Sequence, residues 1–272
     1  MTTSTQQVAL VTGASSGIGR ESALALVKAG FTVVGTSRDA SRSTPLDGVT
    51  FFDLDVSDEA SVSALVEQVI ARFGRIDVLV NNAGIGLMGA AEENSVAQSR
   101  GVFDINVFGV MRMTRAVLPH MRALGRGRII NLSSVYGLIP GPYLAAYVAS
   151  KHAVEGYSES VDHEVREHGV RVLLVEPGGT NTGFEANSTR PDSPLPAYEK
   201  QRRIADQVLA TSVEGGDTPA TVARSVVAAA TDSKPKQRYT SGPLASRVSM
   251  LRRFAPVRIF DTQMRKYHRL AN

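Results

Sequence analysis

Short apolar, β-branched runs alternate along this chain with longer segments of helical period. The runs VALVTG (8–13), TVVGTS (32–37), VTFFDLD (49–55), VLVNNAG (78–84), RIINLSS (128–134) and RVLLVEPG (171–178) read as strands, and RYTSG (238–242) as a seventh. Helical patterns lie between them at about 17–29, 58–73, 95–123, 145–168 and 219–231. Near-continuous apolar strands are what a sheet covered on both faces requires. Strict β/α alternation predicts an α/β fold, a doubly wound parallel sheet of about seven strands with right-handed crossovers. The chain of 272 residues, 43% apolar and 21% charged, suits one such domain spanning 1–272.

Two stretches break the rhythm. Residues 183–216 form a long insertion rich in Pro and Ser after the sixth strand. In an open α/β sheet, ligands bind beyond the carboxyl ends of the strands. The insertion leaves from that edge and reads as a substrate lid. The second stretch is basic: residues 234–272 hold 10 Lys/Arg and one acid, a net of +9, so the rest of the chain carries 4 − 9 = −5. Pro256 divides the segment at about 244–272 into two short helices at most. Its arginines are not interleaved with aromatics in a nucleic-acid recognition pattern, so no nucleic-acid partner is expected. The preferred reading is a segment that caps the substrate pocket or an oligomer interface, with arginines snorkelling to solvent. Contact with anionic membrane is the alternative.

Other classes are excluded more simply. With no cysteine there is no disulfide framework and no thiolate chemistry. HEVREH (163–168) is one residue too long for a zincin helix, so no metal site is expected. No nucleophile elbow of a hydrolase is present. Neither a leader pattern nor an 18-residue apolar run occurs, and a cytoplasmic location is the expectation.

The first strand runs directly into TGASSGIG (12–19). Gly13 permits a tight turn, Gly17 lets backbone approach a pyrophosphate, and Gly19 lets the helix pack closely. Ser15, Ser16 and Ile18 complete the loop, and the helix N-terminus offers free N–H groups to phosphate. An acid normally meets the ribose 2′-hydroxyl at the end of the second strand. Here Ser37 stands at that place and Arg38 follows. A guanidinium suits a 2′-phosphate, so NADP(H) is expected over NAD(H), provided Asp39 does not claim the charge.

Further motifs follow in a fixed order: NNAG (81–84), FDIN (103–106), INLSS (130–134), YVASK (147–151) and EPGGTNT (176–182). Ser134 precedes Tyr147 by 13 residues, and Lys151 follows it by four. The ordered set resembles the short-chain dehydrogenase/reductase family in its single-domain Rossmann form, in the manner of hydroxysteroid- and retinol-type carbonyl reductases. The resemblance runs motif by motif from residue 8 to about 182 and loosely to about 243. It implies Tyr147 as general acid/base, Lys151 as the partner that lowers its pKa and holds the nicotinamide ribose, and Ser134 as the hydroxyl on the substrate oxygen. It implies Asn106 as the residue placing a water in a proton relay to Lys151. For the cofactor it implies Asp55 beside Val56 at the adenine, Asn82, Ala83 and Gly84 along the adenine ribose, Pro177 and Gly178 under the nicotinamide, and Thr180 and Thr182 at the phosphates or carboxamide. It also implies transfer of the pro-S hydride.

The chemistry agrees. Hydride transfer belongs to the cofactor, and the protein must move one proton. Tyrosine has a reference pKa of about 10, so work near neutrality asks for a fall of roughly three units, or about 4 kcal/mol. A cation one helical turn away supplies part of it. Tyr136 and Tyr143 have no lysine at i+4. The expected activity is hydride transfer between NADP(H) and a bulky lipophilic carbonyl or secondary alcohol, with Ile85–Ala91, Val135–Tyr143 and 179–212 lining the pocket. A non-catalytic NADP(H) sensor on the same fold is the alternative, and dehydratase or epimerase chemistry a minor one. The helices at 95–123 and 145–168 resemble the pair that joins family members into homodimers or homotetramers.

Overall fold

A computed structural model describes residues 6–184 and 188–270. Seven parallel strands form one sheet: β1 (Val8–Val11), β2 (Thr32–Ser37), β3 (Val49–Asp53), β4 (Val78–Asn81), β5 (Gly127–Leu132), β6 (Val170–Pro177) and β7 (Arg238–Ser241). Their order is β3-β2-β1-β4-β5-β6-β7. The order reverses between β1 and β4, and the crevice at their carboxyl ends is where such a sheet receives ligands.

Alternation along each strand sorts the core into two layers. Val8 and Leu10 face one side with Val62, Val66 and Val69 of α2 (Glu59–Phe73) and with Met113, Val117 and Met121 of α4 (Gly109–Ala123). Val161 and Val165 of α5 (Ala145–Val165) belong to the same layer. Ala9 and Val11 face the other side with Ala23 and Leu26 of α1 (Gly17–Lys28) and Val222 and Val226 of α7 (Pro219–Thr231). Strands apolar on both faces demand this double cover.

Two regions differ from the sequence expectation. The helix read over 95–123 is interrupted: α3 (Val96–Phe103) passes through a π-helical turn, Asp104–Phe108, before α4 begins. Asn106 sits in that turn, and single π turns inside α-helices often mark functional positions. The insertion is not a bare loop. After a 3₁₀ turn, Pro196–Tyr198, it forms the 16-residue helix α6 (Glu199–Glu214). The Pro- and Ser-rich half of the insertion obscured the helix-forming Glu, Lys, Gln and Arg that follow. Part of the predicted lid, residues 185–187, lies outside the described residues.

The basic segment forms α8 (Pro243–Phe254) and α9 (Val257–Tyr267), broken at Pro256. Ala245 and Phe260 anchor them, while Phe254 and Val257 at the bend are 72% and 77% exposed. No helix among the described residues is long and apolar enough to cross a membrane.

Candidate active site

Gly13 and Gly17 adopt φ of +65° and +53°, which side chains rarely tolerate. At Gly19 the reason for glycine is space: a Cβ there would collide with the Gly13 carbonyl oxygen and Asn82 Nδ2. Ser16 caps α1 with extended backbone but no side-chain hydrogen bond, so its hydroxyl leaves the first N–H groups of the helix clear. A turn with this cradle, ahead of a helix N-terminus, fits a pyrophosphate. Ser15 is exposed and Ile18 partly buried in the same turn.

Thr12, which the motif reading passed over, ties the turn to the segment after β4. Its Oγ1 accepts from the N–H groups of Asn82 (2.9 Å) and Ala83 (3.0 Å). Asn82 Nδ2 returns bonds to the carbonyls of Thr12 (2.9 Å) and Gly13 (3.1 Å). Gly84 lies against Asn106 Oδ1, which a Cβ would approach to 3.2 Å.

At the end of β2, Ser37 Oγ lies 2.8 Å from Ser43 Oγ. Arg38 is exposed and makes no ion pair among the described residues. Asp39, its nearest rival claimant in sequence, instead pairs with Arg42 at 3.5 Å and accepts from Ser41. The guanidinium is therefore available for an anion. Asp55 Oδ1 accepts from the Ser57 hydroxyl (2.6 Å) and N–H (2.9 Å), and these bonds, aided by the charge of Arg38, hold its carboxyl below the usual range. Val56 beside it is buried against Gly109.

Ser134, Tyr147 and Lys151 converge at the carboxyl end of β5. The Ser134 hydroxyl accepts from Tyr136 N–H at 3.2 Å. The Ser134 hydroxyl also acts on the Tyr147 phenol, favouring its ionised form against the effect of burial. Lys151 Nζ donates to the Leu132 carbonyl at 2.7 Å and lies 5.7 Å from the centre of the Tyr147 ring. The expected lowering of the tyrosine by the lysine is not found among the chain's own groups. Burial pushes Tyr147 up to about 12, with the Ser134 bond pulling the other way. Burial likewise draws Lys151 down to about 8, opposed by Glu155. Both side chains are buried, and desolvation favours the neutral form of each. Tyr147 is thus held as a proton donor.

Asn106 is not free to point at Lys151. Its Oδ1 accepts from Ile85 N–H (2.9 Å), and its Nδ2 donates to the Ile85 carbonyl (2.9 Å) and to Ser150 Oγ (3.1 Å). Ser150 donates onward to the Tyr147 carbonyl at 2.7 Å. Both amide protons are spent, so a relay water could use only the Asn106 backbone carbonyl or the remaining lone pair of Oδ1.

Beyond β6, Pro177 pairs in register with Ser241, and Gly178 packs near Ala245. Thr180 Oγ1 donates to the Gly178 carbonyl at 3.2 Å, and Thr182 lies over Gly17. The insertion is seated by Glu93, which is fully buried. Glu93 accepts from the N–H groups of Ala90 (2.9 Å) and Leu195 (2.8 Å) and is paired with Arg202. The Phe184 ring rests 5.6 Å from that of Tyr147. A small cavity of about 10 Å³, room for one water-sized group, is lined by Met88, Tyr136, Tyr143, Leu144, Leu209 and His268, among others. His268 was missed in the sequence because it lies in the tail, outside every motif. Among the described residues no group of acids and histidines could hold a metal.

A parallel sheet with a glycine cradle at its switch point, facing a buried tyrosine–lysine–serine set, defines a nicotinamide-dependent oxidoreductase. The short chain dehydrogenase family profile matches residues 7–193. The chain belongs to the short-chain dehydrogenase/reductase family. It is 46% identical over 181 residues, 66% of each chain, to a 3-ketodihydrosphingosine reductase of Bacteroides thetaiotaomicron. It is 35% identical to the uncharacterized oxidoreductase YusZ of Bacillus subtilis, over 96% of this chain and 98% of that one. A short-chain dehydrogenase from Streptomyces avermitilis superposes with a TM-score of 0.83 at 37% identity, covering 97% of this chain and 98% of the other. A Burkholderia phymatum relative in complex with NAD gives a TM-score of 0.81 at 29% identity, with 97% of each covered. ElxO with NADP bound gives 0.73 at 27% identity, with 87% and 97% covered. The solved relatives thus include one with NAD bound and one with NADP bound.

Proposed function

We propose that the protein transfers hydride between NADP(H) and a bulky, lipophilic carbonyl compound or secondary alcohol, with Tyr147 as general acid/base. The observation that carries this reading is the convergence of Ser134, Tyr147 and Lys151 at the carboxyl end of β5, among apolar side chains that pack on Tyr147. When bound, the nicotinamide cofactor supplies or accepts the hydride. Gly13, Ser15, Ser16, Gly17, Ile18 and Gly19 would hold its phosphates, with Asp55 and Val56 at the adenine and Asn82, Ala83 and Gly84 along the ribose. Pro177, Gly178, Thr180 and Thr182 would close over its other end.

In the reducing direction, Tyr147 gives its phenolic proton to the substrate oxygen as negative charge develops there. Ser134 orients that oxygen by hydrogen bonding. The ammonium of Lys151 stabilises the phenolate left behind and then returns a proton to it. Asn106 fixes the loop and helix that frame the reaction. Arg38, exposed and unpaired by carboxylates, supports NADP(H) over NAD(H) through its complement to a 2′-phosphate. The apolar side chains packed around Tyr147, among them Met88, Leu144 and Phe184, and the ketone in the name of the Bacteroides relative both support a lipophilic substrate. A soluble cytoplasmic homo-oligomer, with the tail capping the pocket, completes the reading.

The test is oxidation of NADPH with a panel of medium- and long-chain ketones and aldehydes. Turnover is expected for lipophilic carbonyls. Tight NADPH binding with no turnover on any of them would leave a sensor as the better reading.

A further inference from the structure

His268 is 5% exposed, yet its Nε2 is buried with no hydrogen-bond partner among the described residues. A buried polar atom left unpaired is uncommon in a folded protein and calls for a reason. Its surroundings supply one. The imidazole lines the cavity whose other walls include Met88, Tyr136, Tyr143, Leu144 and Leu209. Met88 and Leu144 pack with Tyr147 itself, and the Tyr136 ring stands 6.4 Å from the Tyr147 ring. The cavity therefore shares two of its walls with the packing around Tyr147, and the tail reaches it 117 residues after Lys151.

Tyr143, one of the cavity's walls, holds φ +66°, a conformation side chains rarely adopt. Burial also keeps the imidazole below its ordinary pKa, hence neutral. A neutral imidazole nitrogen is a donor or an acceptor according to tautomer. A hydroxyl can pair with either tautomer, whereas a carbonyl or a carboxylate can pair only with the Nε2–H form.

We infer that His268 Nε2 is the polar recognition point of the substrate subsite, and that it hydrogen-bonds a hydroxyl carried by the substrate a few bonds from the reacting carbonyl. The preferred substrate class is then a hydroxylated lipophilic ketone, or the corresponding diol. This rests on the reductase reading only for its kinetic arm.

The kinetic experiment compares decan-4-one with hydroxydecan-4-ones bearing the hydroxyl one, two or three carbons from the carbonyl. The wild-type protein should prefer at least one hydroxyketone by about tenfold or more in kcat/KM. His268→Leu should collapse that ratio to near one, and His268→Gln, which keeps a hydrogen-bonding group, should restore part of it. A ratio unchanged by His268→Leu overturns the inference. The second arm needs no turnover. The His268 ring resonance, assigned in NMR spectra by its loss in His268→Gln, is followed during titration with the matching decanediols and with decan-4-ol. A shift with a diol and not with the mono-alcohol supports the subsite even if no ketone is reduced, in which case the reductase reading alone fails. No response to any diol overturns it.

Discussion

Asn106 grips Ile85 by both of its backbone polar groups, at 2.9 Å each. The residue in the π turn thereby fastens the loop after β4, and through Ser150 it fastens the carbonyl of Tyr147 as well. Removing the amide leaves the part-buried N–H and carbonyl of Ile85 without these partners. Asn106→Ala should cost about 1–3 kcal/mol of stability, read by urea unfolding. Its kcat should fall by a larger factor than its KM rises, because the loss is in the alignment of Tyr147.

Tyr147→Phe keeps the ring that packs on Met88, Leu144 and Phe184 and removes only the acid. Reduction should fall by about 10²–10⁴ in kcat. NADPH binding, measured by fluorescence, should survive. Activity close to wild type would refute the mechanism.

Arg38→Ala tests cofactor choice. Loss of a charge-assisted bond of about 1.5–3 kcal/mol should lower kcat/KM for NADPH by roughly 10- to 150-fold. The value for NADH should barely move. An unaltered preference would mean that some other group reads the ribose.

The pH profile should report Lys151. Burial lowers its pKa from 10.5 to about 8, so the free enzyme loses the ammonium as pH rises through 8. The kcat/KM for reduction should fall above that pH, since this parameter follows the free enzyme's ionisations. The phenol, raised to about 12, stays protonated across the range and adds no limb. In Lys151→Arg, which cannot deprotonate, the limb near 8 should vanish while kcat drops.

Stability should report Glu176. The side chain is buried under β7, and burial, helped by Glu155, raises it from 4.5 to about 7 despite Arg238 at 2.9 Å. The fold prefers its neutral form. The native state therefore holds more protons than the unfolded state between about 4.5 and 7, and stability declines as pH rises through that window. Glu176→Gln should flatten this decline and raise the Tm at pH 8 relative to wild type. A Tm that falls at pH 8 would show that the charged pair with Arg238 outweighs the burial cost.

The α/β order was legible because strand and helix periods differ, recur from residue 8 to the sixth strand, and resume after the insertion. The glycine turn was legible because few residues tolerate the φ of Gly13 and Gly17. Tyr147 and Lys151 share a helix face at i and i+4, a spacing common by chance, and the set with Ser134 was legible only through the ordered series of motifs and the resemblance it carries. The π turn, by contrast, left no mark in a helical pattern that ran on through 95–123, and α6 was hidden behind its own Pro-rich approach. Both depend on what packs against them.

By itself, then, the amino-acid order determined a doubly wound sheet, a phosphate cradle and a tyrosine–lysine pair, since these are local consequences of periodicity, glycine and helix geometry. The direction in which Tyr147 and Lys151 titrate, the release of Arg38 by the Asp39–Arg42 pair, the binding of Asn106 to Ile85 and the arrival of His268 at the cavity walled by Met88 and Leu144 were decided only in three dimensions. Each is a matter of burial or of contact between residues far apart in the chain, and neither desolvation nor such a contact has a signature in the order of residues.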